Sequence, residues 1–314
     1  MTSQTQTTRA AGNGRDRLHA GSTAGEVVLA YLRDHTARLR ALDAAVRRDE
    51  PDAVHQMRVT ARRLRGAMQA FPALWPPGET DHLKDELKWL GQILGEARDA
   101  EVLGEYLAAD LDRVPAELVL GPVKARFTVH FAPQEAAARD AVIGALDSGR
   151  YRALLGALGE LLAAPPRTPA ARAPARDVLP DAVARAYRRV KRRMRRARRA
   201  PEGPRRDAAL HEARKAAKRA RYAAEAVTPV SGKKARRLAK RMRAVQSALG
   251  DHHDAVMAQA TARDIGVRAH LAGENSFSFG LLHERAHRDA LESEDRAWHA
   301  WKRARRPKAV KWLG

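Results

Sequence analysis

The chain contains no cysteine, which excludes disulfides, thiolate nucleophiles and Cys-ligated metal centres. Aromatic residues make up only 5% of its 314 residues, too few to build the stacking platforms on which single-stranded nucleic-acid binders hold bases. Nowhere does the sequence run to the ~18 consecutive apolar residues of a membrane span. The opening MTSQTQTTRAAGNGRDRLHAG is polar and has no apolar leader segment, so a cytoplasmic protein is the expectation. No Walker-type glycine loop, no Gly-x-Ser-x-Gly elbow and no carboxylate cluster for magnesium-dependent phosphoryl transfer is present. The reading is therefore of a protein without catalytic residues, metal or cofactor. Negative charge is also short: 37 Asp and Glu stand against 59 Lys and Arg, a net charge of +22. Such an excess points to an anionic partner. With so few aromatics, that partner is recognised through phosphate.

What is present is organised around Asp52 to Phe71, DAVHQMRVTARRLRGAMQAF. On a helix turning about 100° per residue, Arg58, Arg62, Arg65 and Gln69 fall within about 80° on one side of His55. Val54, Met57, Ala61, Leu64, Met68 and Phe71 occupy the adjoining face. A solvated basic face would lie opposite the core. A basic stripe beside the core lines a groove or cavity wall.

The pattern recurs. Residues 208 to 225, AALHEARKAAKRARYAAE, superpose on the first stretch at an offset of 156. His55 maps to His211, Arg58 to Arg214, Arg62 to Lys218, Arg63 to Arg219 and Arg65 to Arg221. The apolar face returns as Leu210, Ala213, Ala217, Ala220, Ala224 and Val227. A following helix repeats too: LGEARDA at 94 to 100 matches LGDHHDA at 249 to 255, with Lys88 matching Arg243, at an offset of 155. Two motifs duplicated in the same order indicate an internal repeat.

Residues 1–21 are expected to be a disordered tail. Thr23-Ala-Gly-Glu26 reads as a capping box opening the first helix, and Asp52 is placed to cap the signature helix. Prolines 72, 76 and 77 end that helix, and a third starts near Thr80 with Leu83, Leu87, Leu90 and Leu94 as its core stripe. Residues 115–164 read as helical with a break near Asp147-Ser148-Gly149. The stretch 165–176 is rich in Pro and Ala without periodicity and reads as a linker. Beyond it the order repeats, with helices near 177 to 200, 208 to 225, 231 to 261 and 275 to 304. No period-two alternation argues for strands. The fold class is all-α: two four-helix bundles related by an internal pseudo-twofold, the first over 22–164 and the second over 177–306, with a basic C-terminal tail at 307–314.

These residues resemble the CHAD domain family. The resemblance rests on His55-x-x-Arg58-x-x-x-Arg62-Arg63-Leu64-Arg65, on Leu94-Gly95-x-x-Arg98-Asp99, and on their second copies at His211 to Arg221 and Leu249 to Asp254. It covers roughly residues 23 to 304. The second copy departs from the first in carrying Ala220 for Leu64 and His253 for Arg98. The resemblance implies two helical bundles enclosing a basic cavity that binds inorganic polyphosphate, and association with polyphosphate granules. It also implies a stand-alone member, since no CYTH-like domain fits before residue 23.

For polyphosphate binding the sequence nominates His55, Arg58, Arg62, Arg63, Arg65, Lys84, Lys88, His211, Arg214, Lys215, Lys218, Arg219, Arg221, Lys240 and Arg243, with Asp99 and Asp254 supporting. Guanidinium forks donate paired hydrogen bonds to phosphate oxygens and stay charged, and helical spacing sets successive cations about 5.4 Å apart in rise. A solvated face is the competing reading for the arginines, and helix-capping for the two aspartates. For His55 and His211 it is a bracing histidine bonded to a carboxylate or backbone group. Arg63 and Arg219 point away from the stripe, toward the outer surface or a neighbouring helix. The cluster Asp251-His252-His253-Asp254 invites a metal-dependent phosphohydrolase reading, which the first copy, lacking histidine there, opposes. The basic run from Arg185 to Arg199 extends a polyphosphate surface or lends weak non-specific nucleic-acid affinity, and both readings stand. A nucleic-acid-binding module is thus the alternative function. The oligomeric state is not legible.

Overall fold

The computed structural model describes residues 18–19, 21–165 and 168–313. Most of the tail expected over 1–21 lies outside the described residues. Among those described there is no β-strand, only an isolated bridge between Thr23 and Pro174. The protein is all-α.

In chain order the helices are α1 (Ala24–Arg47), α2 (Ala53–Ala70), α3 (Asp81–Leu111), α4 (Val123–Asp147), α5 (Gly149–Ala163), the single turn α6 (Pro169–Arg172), α7 (Ala175–Arg199), α8 (Pro204–Ala226), α9 (Thr228–Leu271), α10 (Phe277–Ala304) and the turn α11 (Pro307–Val310). Their ends follow local chemistry. The capping box at α1 is formed: Thr23 N–H donates to Glu26 Oε2 at 2.8 Å, and Glu26 N–H to Thr23 Oγ1 at 3.3 Å. Ser148 breaks α4 from α5 and caps the latter through Tyr151 N–H. Asp52, expected to cap α2, does not: its backbone is left-handed at φ 63° and its side chain makes no capping bond. That conformation turns the carboxylate away from the first-turn amides. The helix expected to begin near Ser231 begins at Thr228 and passes through Gly232 at φ 54° and ψ −132°, a break that glycine tolerates.

Consecutive helices pair along the chain, and α2 also packs directly on α8. The buried side chains do not divide at the linker. One core joins both halves, with Leu39 of α1, Met57 and Leu64 of α2, Leu87 of α3, Met194 of α7, Ala217 of α8, Met242 of α9 and Trp301 of α10. A second, smaller core gathers Leu107 and Leu111 from the end of α3, Phe131 from α4, Ile265 from α9 and Leu282 from α10. Each fully buried side chain of this size contributes roughly 1.5–3 kcal/mol, so the joint core binds the two halves firmly.

Two connecting segments are more ordered than their composition suggests. Over 168–175 the linker is docked: Thr168 Oγ1 donates to Ala73 O at 2.8 Å, and Ala175 N–H donates to Ser22 O at 2.8 Å. Buried Ala171 lies against Gly25, where a β-carbon would stand 3.0 Å from its carbonyl oxygen. The stretch expected as a C-terminal tail likewise turns back, and Leu313 is buried in the larger core. Small and apolar residues in both segments find packing partners, which composition cannot show.

Candidate functional site: a basic cavity between the signature helices

α2 and α8 meet at Gly66 and Tyr222, which are equivalent positions of the two copies. A β-carbon on Gly66 would stand 3.0 Å from Cδ2 of Tyr222. On the His55 side of this contact the two helices, with α3, α4 and α9, wall a cavity of about 1120 Å³. α4 supplies an apolar wall, Phe131, Ala137, Ala138 and Ala141. The opposite walls are basic: nine Arg and Lys side chains and three histidines against three carboxylates.

The repeat places its arginines alike. The Arg58 guanidinium lies across Gly95, 3.2 Å from where a β-carbon would be, and Arg214 lies across Gly250 at 3.3 Å. Arg58 donates through Nη1 to Asp99 Oδ1 at 2.8 Å and to the Gly95 carbonyl at 3.3 Å. Arg214 Nη1 stands 3.8 Å from Asp254 Oδ1, an ion pair rather than a hydrogen bond. Both glycines are buried, so the small residue is what lets each guanidinium cross the helix.

Arg62 and Lys218 are also equivalent positions, and neither has a carboxylate partner within 4.0 Å among the described residues. Burial pushes the Lys218 ammonium down to about 6, and Arg214, Arg62 and Arg58 push it the same way. Burial also lowers the Arg62 guanidinium, with Arg58 and Arg214 adding repulsion and Tyr222 opposing. Like charges held together out of water cost stability and give the cavity a positive potential.

The histidines line this space without bracing it. His211 Nδ1 is buried with no hydrogen-bond partner among the described residues, and its ring lies 4.5 Å from that of His253. Burial and then His211 hold His253 down to about 4. Burial is the chief cause of the lowered values of His55 and His211 too, with Arg98 pressing on the first and Lys215 and Arg214 on the second.

Other nominated residues take different places. Arg63 and Arg221 reach the cavity rim but share Glu225, at 3.3 Å and 2.6 Å, and flank the Tyr222 ring. They tie α2 to α8. Arg243 is exposed on the lining. Lys84 is held by Asp81 at 2.5 Å and Lys215 by Glu212 at 2.5 Å, both away from the lining, and Lys88 and Lys240 are exposed elsewhere. Arg65 and Arg219 lie outside the lining: Arg219 faces Arg189 and Arg193 of α7, and Arg65 faces Asp85 of α3. A helical wheel gives a residue's angle but not the point at which a neighbouring helix crosses. Three basic groups that the sequence did not nominate also line the cavity: Arg38, which donates to Gln56 Oε1 at 2.9 Å, Arg98 and His253. The last two are repeat-equivalent, which was the available signal; Arg38 carried none.

The cluster 251–254 diverges instead of converging. Asp251 faces Arg296, buried His252 bonds the Ala290 carbonyl and Asp207, His253 faces His211, and Asp254 faces Arg214. Among the described residues no group of three or more His, Cys, Asp or Glu is placed to hold a metal ion, and no helix is long and apolar enough to cross a membrane.

A family model described as the CHAD domain matches residues 30–263. Two curated Mycobacterium tuberculosis proteins, the uncharacterized proteins MT2285 (strain CDC 1551 / Oshkosh) and Rv2226 (strain ATCC 25618 / H37Rv), are each 36% identical over 245 residues, covering 77% of this chain and 46% of theirs. The chain thus spans about half the length of the curated relatives it matches. Among solved structures, the CHAD domain from the plant Ricinus communis superposes with a TM-score of 0.64 at 26% identity, covering 94% of this chain and 93% of that one. PptA from Streptomyces chartreusis superposes with a TM-score of 0.74 at 23% identity, covering 90% of this chain and all of that one, a likeness of fold.

Proposed function

The chain belongs to the CHAD domain family, and on that premise we propose that it binds inorganic polyphosphate, without turning it over, in the cavity between α2 and α8. The observation that carries the reading is the placement of Arg62 and Lys218. Both are half-buried in a basic cavity among other cations, and among the described residues neither has a carboxylate within 4.0 Å. A protein tolerates such repulsion where an anion completes the site. A linear chain of phosphates with about one charge each meets the requirement, because its flexible backbone threads past cations set one helical turn apart. Arg58 and Arg214, aimed by Asp99 and Asp254 over Gly95 and Gly250, are the fork donors. His55, His211 and His253 would gain a proton as the phosphate charge arrives.

The equivalent contacts of the two copies, with Gly66 against Tyr222 and each arginine over its glycine, support a pseudo-twofold running through this cavity. In the cell the reading places the protein in the cytoplasm at polyphosphate granules. Nucleic acid is the competing ligand. In a displacement assay at fixed ionic strength, long-chain polyphosphate is expected to resist duplex DNA supplied at equal phosphate concentration. Efficient displacement by DNA overturns the proposal, and phosphate release from the bound polymer overturns its non-catalytic part.

A further inference from the structure

A second basic depression lies on the other side of α8. It has a volume of about 720 Å³ and is bordered by Arg192, Arg193, Arg195, Arg196 and Arg199 of α7 and by Arg205 of α8, over a floor that includes Ala208 and Ala209. Its one carboxylate, Glu212, is already bonded to Lys215 at 2.5 Å and stands 4.0 Å from Arg193. Among the described residues, none of Arg192, Arg195, Arg196, Arg199 and Arg205 has an acidic partner within 4.0 Å. Positions 192, 195, 196 and 199 are three and four apart, so their charges stack on one stripe and oppose helix formation unless an anion joins them. α1, the opening helix of the first half, mixes Arg40, Asp43 and Arg47, whereas α7 has no acidic residue after Asp181. The Arg219 guanidinium, which faces Arg189 and Arg193 of α7, is likewise held low by burial and by their charge.

The depression adjoins the cavity. Glu212 borders one and His211 the other, so a single helix, about 10–12 Å across, separates them. We propose that the α7–α8 groove is a second station for the same polyanion. A chain held in the cavity continues around α8 onto the arginines of α7. This inference rests on the polyphosphate reading and makes binding depend on chain length, since a polymer that spans both stations gains the effective concentration of a tethered ligand. Among the described residues no aromatic side chain borders the groove, so bases find nothing to stack on there.

The test compares triphosphate, long-chain polyphosphate and duplex DNA on the full chain and on the variant R192E/R196E/R199E, with R192Q/R196Q/R199Q as a milder partner. Melting temperature and helicity check folding. Wild type is expected to bind the long chain at least about 100-fold more tightly than triphosphate. The variants should lose most of that difference and keep triphosphate affinity. Unchanged long-chain affinity in both variants overturns the second station, as does loss of DNA binding without loss of long-chain binding. Wild-type protein that binds triphosphate and the long chain equally overturns it too, with the cavity reading intact. Protein that binds neither overturns the cavity reading itself.

Discussion

Gly66 and Tyr222 occupy the same position in two copies of one helix and touch each other, with room for the ring only because position 66 has no side chain. Elements related by a twofold meet at equivalent residues, so the pair marks where the proposed axis passes. Its chemistry is asymmetric: one copy kept the smallest residue and the other a buried aromatic. Gly66→Val is expected to overpack this contact and cost roughly 1–3 kcal/mol. Combining it with Tyr222→Ala should cost less than the sum of the two single changes. A double-mutant cycle by chemical denaturation checks this, and strict additivity would remove the contact from the account.

The paired glycines at 95 and 250 separate stability from binding. Within a helix, alanine is favoured over glycine by up to about 1 kcal/mol. At these positions its β-carbon would press on the Arg58 and Arg214 guanidinium groups. G95A/G250A is therefore expected to melt at the same or a higher temperature while its polyphosphate affinity drops about fivefold, as two charge-assisted contacts lose their aim. Equal affinity would show that the guanidinium positions do not matter.

Much of this arrangement was legible in the sequence. The stripe beside an apolar face gave a cavity wall, and the offsets of 156 and 155 brought His55, Arg58 and Arg62 together with His211, Arg214 and Lys218. The all-α class followed from periodicity, and the break at Ser148 from its capping chemistry. What escaped was set by packing between distant segments. Arg65 shares the angular stripe but lies outside the lining, and Lys84 is claimed by Asp81 within its own first turn. Ala171 and Leu313 look like linker and tail residues until the surface that buries them is in view.

Proton linkage follows from Lys218. Lowered to about 6, it is largely neutral above that pH in the ligand-free protein, and a bound phosphate chain restores the ammonium. Binding then takes up a proton, so affinity should rise as pH falls from about 8 toward 6. His253, held near 4, and the lowered His55 and His211 extend the same sign to lower pH. Without ligand the trend reverses: the unfolded chain binds the lysine proton that the fold rejects, so stability grows with pH above about 6. Calorimetry in buffers of different ionisation heat measures the uptake, and Lys218→Arg should abolish most of it between pH 6 and 8. No proton uptake in wild type would contradict the linkage.

Salt dependence counts the cations engaged. Removing one phosphate contact should lower the slope of log affinity against log salt by about 0.7. Arg214→Met is expected to show that change, and Lys240→Met, exposed away from the cavity, none. Equal slopes for the two variants would place the polymer elsewhere on the surface.

Arg62 and Lys218 stand apart from carboxylates, which the proposed function explains as a site that polyphosphate completes. The most direct test titrates polyphosphate near pH 6 into wild type and R62M/K218M and follows thermal melting of both without ligand. The variant is expected to bind at least about 100-fold more weakly, with two charge-assisted contacts gone, and to melt at an unchanged or higher temperature once the repulsion is relieved. A variant that binds as wild type does, or a wild type that does not bind, contradicts the proposed function.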